Sequence, residues 1–368
     1  MAINRRQLIK TGITASALAA FPNMSSAIIT PSKKSQRVVV VGGGFAGATA
    51  AKYLRMWSPD LEVILIEKKT AFVSCPQSNL VLSGHRTLQQ LTFDYHGLSS
   101  HYGVKMIQST VNAVDVDNKN VRLDDGTVVD YDRLIIAPGV DFIYDQLSML
   151  SPEIVETKIP HAWKAGPQTQ LLHEQLKAMR KGGKVVMTIP QAPFRCPPGP
   201  YERACQIALF LKQHNPTAKL IILDANGDIV SKKELFKGVW DDRYADIIDY
   251  QPSNGIETVD VDTLTVEGLF DKVQADVLNV IPPQRAGKVA ELAGVMNVDK
   301  RWCEVDFSTY ESTAVPDVHV IGDAVAATLP KSGHIANVQA KVCAAAVIAL
   351  LHEQEVEPEP VFGNTCYS

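Results

Sequence analysis

"RVVVVGGGFAGATAAKYL", Arg37 to Leu54, decides how this chain folds. Arg37 is followed by four valines, a run that predicts a buried strand. A glycine turn and an alanine-rich helical stretch come next. Gly42, Gly44 and Gly47 fill the pattern G-x-G-x-x-G. Their missing side chains permit, in turn, a tight bend, close approach of a pyrophosphate and close packing of helix on strand. Backbone N–H groups and the positive end of the helix then face the phosphates. The next strand, in "LEVILIEK", ends at Glu67, about 20 residues beyond Gly47. A carboxylate there accepts hydrogen bonds from ribose hydroxyls and repels a 2′-phosphate. Strand, turn, helix and strand in this order predict a dinucleotide-binding α/β domain.

Two later stretches say which dinucleotide. "YDRLIIAPG" is a strand ending in a small-residue turn that holds Ala137 and Gly139. "VHVIGDA" is another strand, ending in Gly322 and Asp323, with a helix expected from about His334 to Leu351. Together with the glycine turn these resemble the three FAD segments of the pyridine-nucleotide-disulfide-reductase superfamily. The resemblance implies an FAD cofactor, with Asp323 bonded to the ribityl chain and the following helix aimed at the flavin pyrimidine. A positive helix end suits that place, because reduced flavin is anionic. The fold class expected is α/β, with two Rossmann-like three-layer domains of the disulfide-reductase type and the C-terminal interface domain missing.

The second nucleotide site of that superfamily is not legible here. The matching strand, "KVVMTIP", leads into "APFRCPPGPYERAC", Ala192 to Cys205, with no G-x-G-x-x-G. Prolines lack the N–H donors that cradle phosphates, and Pro197-Pro198 is stiff. A helix is expected after Pro200, with Ile207, Ala208 and Leu211 sharing a face. NAD(P)H is therefore not the expected reductant. Cys196 sits shortly before the helix, near Arg195 and Arg203, which favours its thiolate. Cys205, beside Ala204 and Ala208, reads as a packing cysteine, and Cys343 as helix core.

A closer resemblance follows from "FRCPPGPYERA", "NVIPPQRAGK", "PKSGHIANVQAKV", "NTCY" and "FVSCPQSNLVLSG". These are similar to segments of the flavoprotein subunit of flavocytochrome c, a sulfide dehydrogenase. The resemblance implies a redox disulfide between Cys196 and Cys366, covalent attachment of FAD through Cys75, and an acid/base role for Glu202. It also implies that hydrosulfide attacks the disulfide and that electrons leave to a c-type cytochrome. No C-x-x-C-H occurs in the chain, so the haem is expected on a partner polypeptide. Cys303 and Cys343 stay open as alternative partners for Cys196.

Bulk properties set the outer limits. The 368 residues are 46% hydrophobic with a formal net charge of -4, so no basic excess points to nucleic acid. No internal apolar run reaches the roughly 18 residues of a membrane span, and no Cys/His cluster suggests a metal site. "NRRQLIKTGITASALAAF" pairs Arg5 and Arg6 ahead of a mildly apolar segment, which predicts a twin-arginine-type signal over residues 1–30 and a periplasmic protein. The expected organisation is an FAD domain over 37–158 and 299–352, a second Rossmann-like domain over 159–298, and an acidic linker over 353–368. The chain ends two residues past Cys366, where loose attachment is expected. The rival readings are a sulfide:quinone oxidoreductase and a truncated, non-catalytic flavin-binding accessory protein.

Overall fold

The computed structural model describes residues 35–145 and 147–365; the expected signal at 1–30 and Cys366 lie outside the described residues. Nine strands of interest run in chain order: β1 (Arg37–Val41), β2 (Glu62–Glu67), β3 (Lys105–Gln108), β4 (Arg133–Ile136), β5 (Lys184–Ile189), β6 (Lys219–Asp224), β7 (Ile248–Gln251), β8 (Val277–Val280) and β9 (Val318–Val320). One parallel sheet has the order β9-β4-β1-β2-β3. The other, also parallel, has the order β7-β6-β5-β8. Val38, Val39 and Val40 are fully buried, as are Leu134, Ile135 and Ile136. Central parallel strands are covered on both faces, which is why they read as unbroken apolar runs.

The helices that matter to the site are α1 (Phe45–Trp57), α2 (Asn79–Leu82), α3 (Pro167–Ala178), α4 (Gly199–His214), α5 (Lys233–Arg243) and α6 (Gly333–Leu351). α1 packs on α6, Asn337 Nδ2 donating to Thr49 Oγ1 at 3.0 Å between them, and both helices bury small side chains, Ala46, Ala50 and Ala51 on one, Ala336, Ala340 and Ala344 on the other. Ser332 caps α6, its Oγ accepting the Ile335 N–H at 3.1 Å. α6 is long and apolar enough to cross a membrane, which the sequence reading did not expect. Within the fold its alanine face and Val347 lie in the first core.

Both sheets reverse their winding beside their first strand. The crevices so formed lie beyond β1 and β4 in one sheet and beyond β5 and β8 in the other. Such switch points are where open α/β sheets hold ligands. Three residues, Gly42 to Gly44, join β1 to α1. Nine, Pro190 to Pro198, join β5 to α4.

The chain passes between the two sheets earlier than expected at both crossings. Leu147, Leu150, Val155 and Ile159 pack with Val186 and Leu223, so they cover the second sheet rather than ending the first domain at 158. Ala286, Ala290, Ala293 and Val295 are buried in the first core, so the return comes near Gln284 rather than at 299. The crossings also pair with each other, Val140–Phe142 running antiparallel to Gln284–Ala286.

The segment after α6 has no regular structure, as expected of a linker, yet its described part is tied down. Phe362 stacks edge-on against Tyr310 with ring centroids 6.2 Å apart. Thr365 N donates to His334 Nδ1 at 2.9 Å, and Ser332 Oγ donates to Asn364 Oδ1 at 3.0 Å.

Candidate functional site

The first crevice opens into a cleft of about 360 Å³. Gly42, Gly44, Glu67, Cys75, Ala137, Gly139, Gly322 and Asp323 all line it. Gly42 has φ +104°, and a β-carbon there would fall 2.3 Å from the Ala137 carbonyl oxygen. Gly47 lies behind the cleft, where a β-carbon would fall 1.8 Å from the Gly42 carbonyl oxygen. Gly44 is different: beyond its Cα the nearest atom to an added β-carbon is Phe72 at 3.8 Å, so its backbone is bare to the cleft. Glu67 is pinned at the rim, Oε2 accepting the Gly43 N–H at 2.7 Å and Oε1 the Lys69 N–H at 3.0 Å. A bare backbone at a helix start, with a carboxylate at the neighbouring strand end, fits a dinucleotide such as FAD.

The second crevice is filled by the protein's own groups. Asp224, at the end of β6, stands where a dinucleotide domain presents a carboxylate to ribose. Here it accepts from Tyr201 Oη and Tyr250 Oη, each at 2.9 Å, and from Asn226 N and Nδ2 at 2.9 and 2.7 Å. Asn226 Oδ1 in turn accepts from Ala192 N at 3.0 Å and Gln191 Nε2 at 3.1 Å, holding the loop that carries Cys196.

Cys196 has φ +57°, a left-handed conformation that few non-glycine residues adopt. Three segments hold it there. Its N–H donates to the Lys331 carbonyl at 2.8 Å, and its carbonyl accepts from Gly199 N at 2.8 Å. The preceding N–H, of Arg195, donates to Gln284 Oε1 at 2.9 Å. A β-carbon on Gly199 would fall 3.0 Å from Cys196 Sγ and 2.9 Å from Trp163 Cη2, so the bare glycine makes room for both.

Arg195 joins the two crevices. It lines the cleft, and its guanidinium donates to the Trp163 carbonyl. Burial works against its charge, but Cys75, Asp323 and Cys196 around it more than offset that, and its pKa lies above the ordinary value. Cys75 Sγ accepts the Ala165 N–H at 3.4 Å. Two more cations stand near. Arg203 is 2% exposed, and burial, helped by the charge of Arg195, brings its pKa down to about 9. Lys331 Nζ donates to the carbonyls of Asp323 and Val325 at 2.9 and 2.6 Å and sits 3.9 Å over the Trp302 ring; burial lowers its pKa to about 8. Burial also raises the carboxyls of Glu202 and Asp323 above the usual range. Three cations beside two carboxyls biased toward neutrality make this region favourable to an anionic sulfur.

The remaining cysteines differ. Cys205 Sγ accepts from Trp240 Nε1 at 3.2 Å, and burial raises its thiol. Cys303 and Cys343 are fully buried, and burial pushes both thiols up, Cys303 to about 12. Neither lines the cleft. Cys366 lies outside the described residues, but the bonds of Asn364 and Thr365 end at Ser332 and His334, next to the Lys331 carbonyl that holds Cys196. Sequence reasoning passed over Asn79, Lys331 and Trp163. The first two sit inside motifs already quoted; Trp163, in "HAWKAG", offered no pattern.

Comparison with known proteins fits this division. Residues 169–282 match the family described as the central part of the sulfide dehydrogenase [flavocytochrome c] flavoprotein chain. Residues 36–146 match the pyridine nucleotide-disulphide oxidoreductase family. A flavoprotein chain of sulfide dehydrogenase [flavocytochrome c] from Chlorobaculum thiosulfatiphilum is 64% identical over 47 residues, 13% of this chain and 98% of that sequence. Mitochondrial sulfide:quinone oxidoreductase from Mus musculus is 25% identical over 320 residues, 84% of this chain and 69% of that protein. Among solved structures, the sulfide:quinone oxidoreductase of Aquifex aeolicus superposes with a TM-score of 0.73 at 20% identity, covering 87% of this chain and 78% of that one. The fold is that of the disulfide reductases, and the chain belongs to the family of the flavoprotein chain of flavocytochrome c sulfide dehydrogenase.

Proposed function

We propose that this chain is a periplasmic, FAD-dependent sulfide dehydrogenase flavoprotein that oxidises sulfide at a Cys196–Cys366 disulfide and hands electrons to a c-type cytochrome subunit. The observation that carries the reading is Arg195, one guanidinium shared by the cofactor cleft, Cys75, Asp323 and Cys196. Hydrosulfide attacks the disulfide; a new S–S bond forms as the cysteine–cysteine bond breaks. One cysteine is left as a persulfide and the other as a thiolate. The substrate sulfur loses two electrons and the cysteine pair gains them. Arg195 and Arg203 favour the thiolate at Cys196. Glu202, its pKa raised by burial, takes up the hydrosulfide proton.

A second hydrosulfide takes the outer sulfur of the persulfide away as a disulfanide, leaving both cysteines as thiols. FAD held in the cleft through Cys75 would supply the two-electron acceptor for closing that pair to the disulfide again and the one-electron donor that a haem partner needs. Gly42, Gly44 and Glu67 would hold its adenosine half, and Ala137, Gly139, Gly322 and Asp323 the flavin half. The broad coverage of the mouse relative favours a second reading, with quinone as acceptor.

Anaerobic titration with sulfide, followed by flavin absorbance, tests the proposal. Bleaching, with colour restored by cytochrome c and not by a short-chain quinone, is the expected result. Recovery with quinone alone supports the second reading, and no bleaching means a non-catalytic flavin-binding chain. After the titration, acid precipitation should leave the flavin with the polypeptide; flavin in the supernatant would refute the Cys75 link.

A further inference from the structure

The motif that carries Cys75 runs on to Asn79, and the function proposed above uses only its cysteine. Asn79 opens α2, which packs on α4. Its carboxamide meets three groups. Arg203 Nε donates to Oδ1 at 3.1 Å. Nδ2 donates to Glu202 Oε2 at 3.3 Å and to the Gly199 carbonyl at 3.2 Å. A guanidinium is a donor only, so Arg203 decides which end of the amide is oxygen. The NH2 end is thereby turned to Glu202.

Arg203 is itself fixed. Its other N–H groups go to His161 O at 2.7 Å, Asn279 Oδ1 at 3.0 Å and Ala162 O at 2.6 Å, and its plane lies 4.7 Å from the Trp163 centroid. All the acceptors are neutral. A buried guanidinium bound in this way cannot rotate to release Asn79 without orphaning several polar groups.

We propose that Asn79 is a positioning residue for Glu202: oriented by Arg203, it pins one carboxyl oxygen and favours the ionised form of the proton-transfer group. The inference rests on the reading of Glu202 as the acid/base beside the thiols. Among the described residues, the charged and titratable groups facing Glu202 are Arg203 and Cys205 on α4 and Lys232 before α5; α2 contributes the amide. Burial pushes the carboxyl up, and the Asn79 bond is the strongest influence bringing it down, ahead of Lys232 and Arg203.

Asn79 thus works against burial, and removing its N–H should let Glu202 rise further. The test is a pH titration of the protonated-carboxyl infrared band in the full-length, flavin-loaded protein, assigned by its loss in Glu202→Gln. Asn79→Leu should move the midpoint up by about one unit, a tenfold change in protonation ratio at fixed pH. Asn79→Asp keeps the size and the Arg203 contact but swaps donor for acceptor, and should move the midpoint in the same direction at least as far. It also covers the case in which the leucine variant does not fold. Unchanged or lowered midpoints overturn the proposal. The titration needs no sulfide, so a wild-type protein that ignores sulfide overturns the function reading while this result stands apart.

Discussion

Two strand–loop–helix–strand units in this protein start from the same plan and end differently. After β1, three glycines turn the chain directly into α1, and Glu67 at the end of β2 caps the turn from outside. After β5, nine residues rich in proline intervene, and Asp224 at the end of β6 is consumed by two tyrosines and Asn226. The first unit leaves backbone donors bare to the cleft. The second replaces them with a cysteine in a left-handed conformation, braced by Lys331, Gln284 and Gly199. The difference teaches that two strand-end carboxylates in like positions can be satisfied in different ways, one by the turn beside it and the other by side chains. Where the first turn offers a bare backbone, the second holds a cysteine.

Changing each unit in turn should break the comparison in distinct ways. Gly47→Ala drives a β-carbon into the Gly42 carbonyl, and the purified protein should carry at least about tenfold less flavin by absorbance. Flavin content equal to wild type would mean that the first turn is not the cofactor cradle. Asp224→Ala should cost about 3 kcal/mol in urea denaturation, because it orphans two buried hydroxyls and an amide. Tyr250→Phe should cost only about 1 kcal/mol. Both variants should keep their flavin, and neither should let NADH bleach it. A cost near zero for Asp224→Ala would refute its role as the internal plug.

A separate prediction concerns pH dependence. Burial, then the charges of Arg203, Lys164 and Arg195, lowers the His161 pKa from 6.5 to about 3. The unfolded chain therefore binds a proton at His161 through that window and the folded protein does not. Stability from this group is full above about 6.5 and is lost as pH falls toward 3. His161→Gln, which keeps an acceptor for the Trp163 N–H, should flatten the acid limb of urea midpoints measured between pH 7 and 4. An equally steep limb in the variant would assign the acid sensitivity elsewhere.

Much of this was legible in the sequence because its strongest signals are local. β1 starts at Arg37 and ends with the valine run, β2 ends at Glu67, and α6 begins one residue before His334. Buried parallel strands and glycine turns write themselves into short windows. The crossings between sheets were misplaced for the opposite reason. Leu147, Leu150 and Val155 are plainly apolar, but nothing in their spacing says which sheet they cover. The candidate site divides the same way. The cleft-lining glycines and Glu67 follow from pattern, whereas Asn79 gains its meaning from Arg203 and Glu202, more than a hundred residues away. Asp224 reads as an ordinary strand end until Tyr201 and Tyr250 are seen on it.

The central claim is that the second unit carries a working thiol, and the anaerobic sulfide titration of Cys196→Ser tests it most directly, with Cys205→Ser as control. The account predicts that Cys196→Ser keeps its flavin yet is not bleached by sulfide, with the rate down by at least about a thousandfold, while Cys205→Ser bleaches like wild type. Bleaching of Cys196→Ser at the wild-type rate would contradict it.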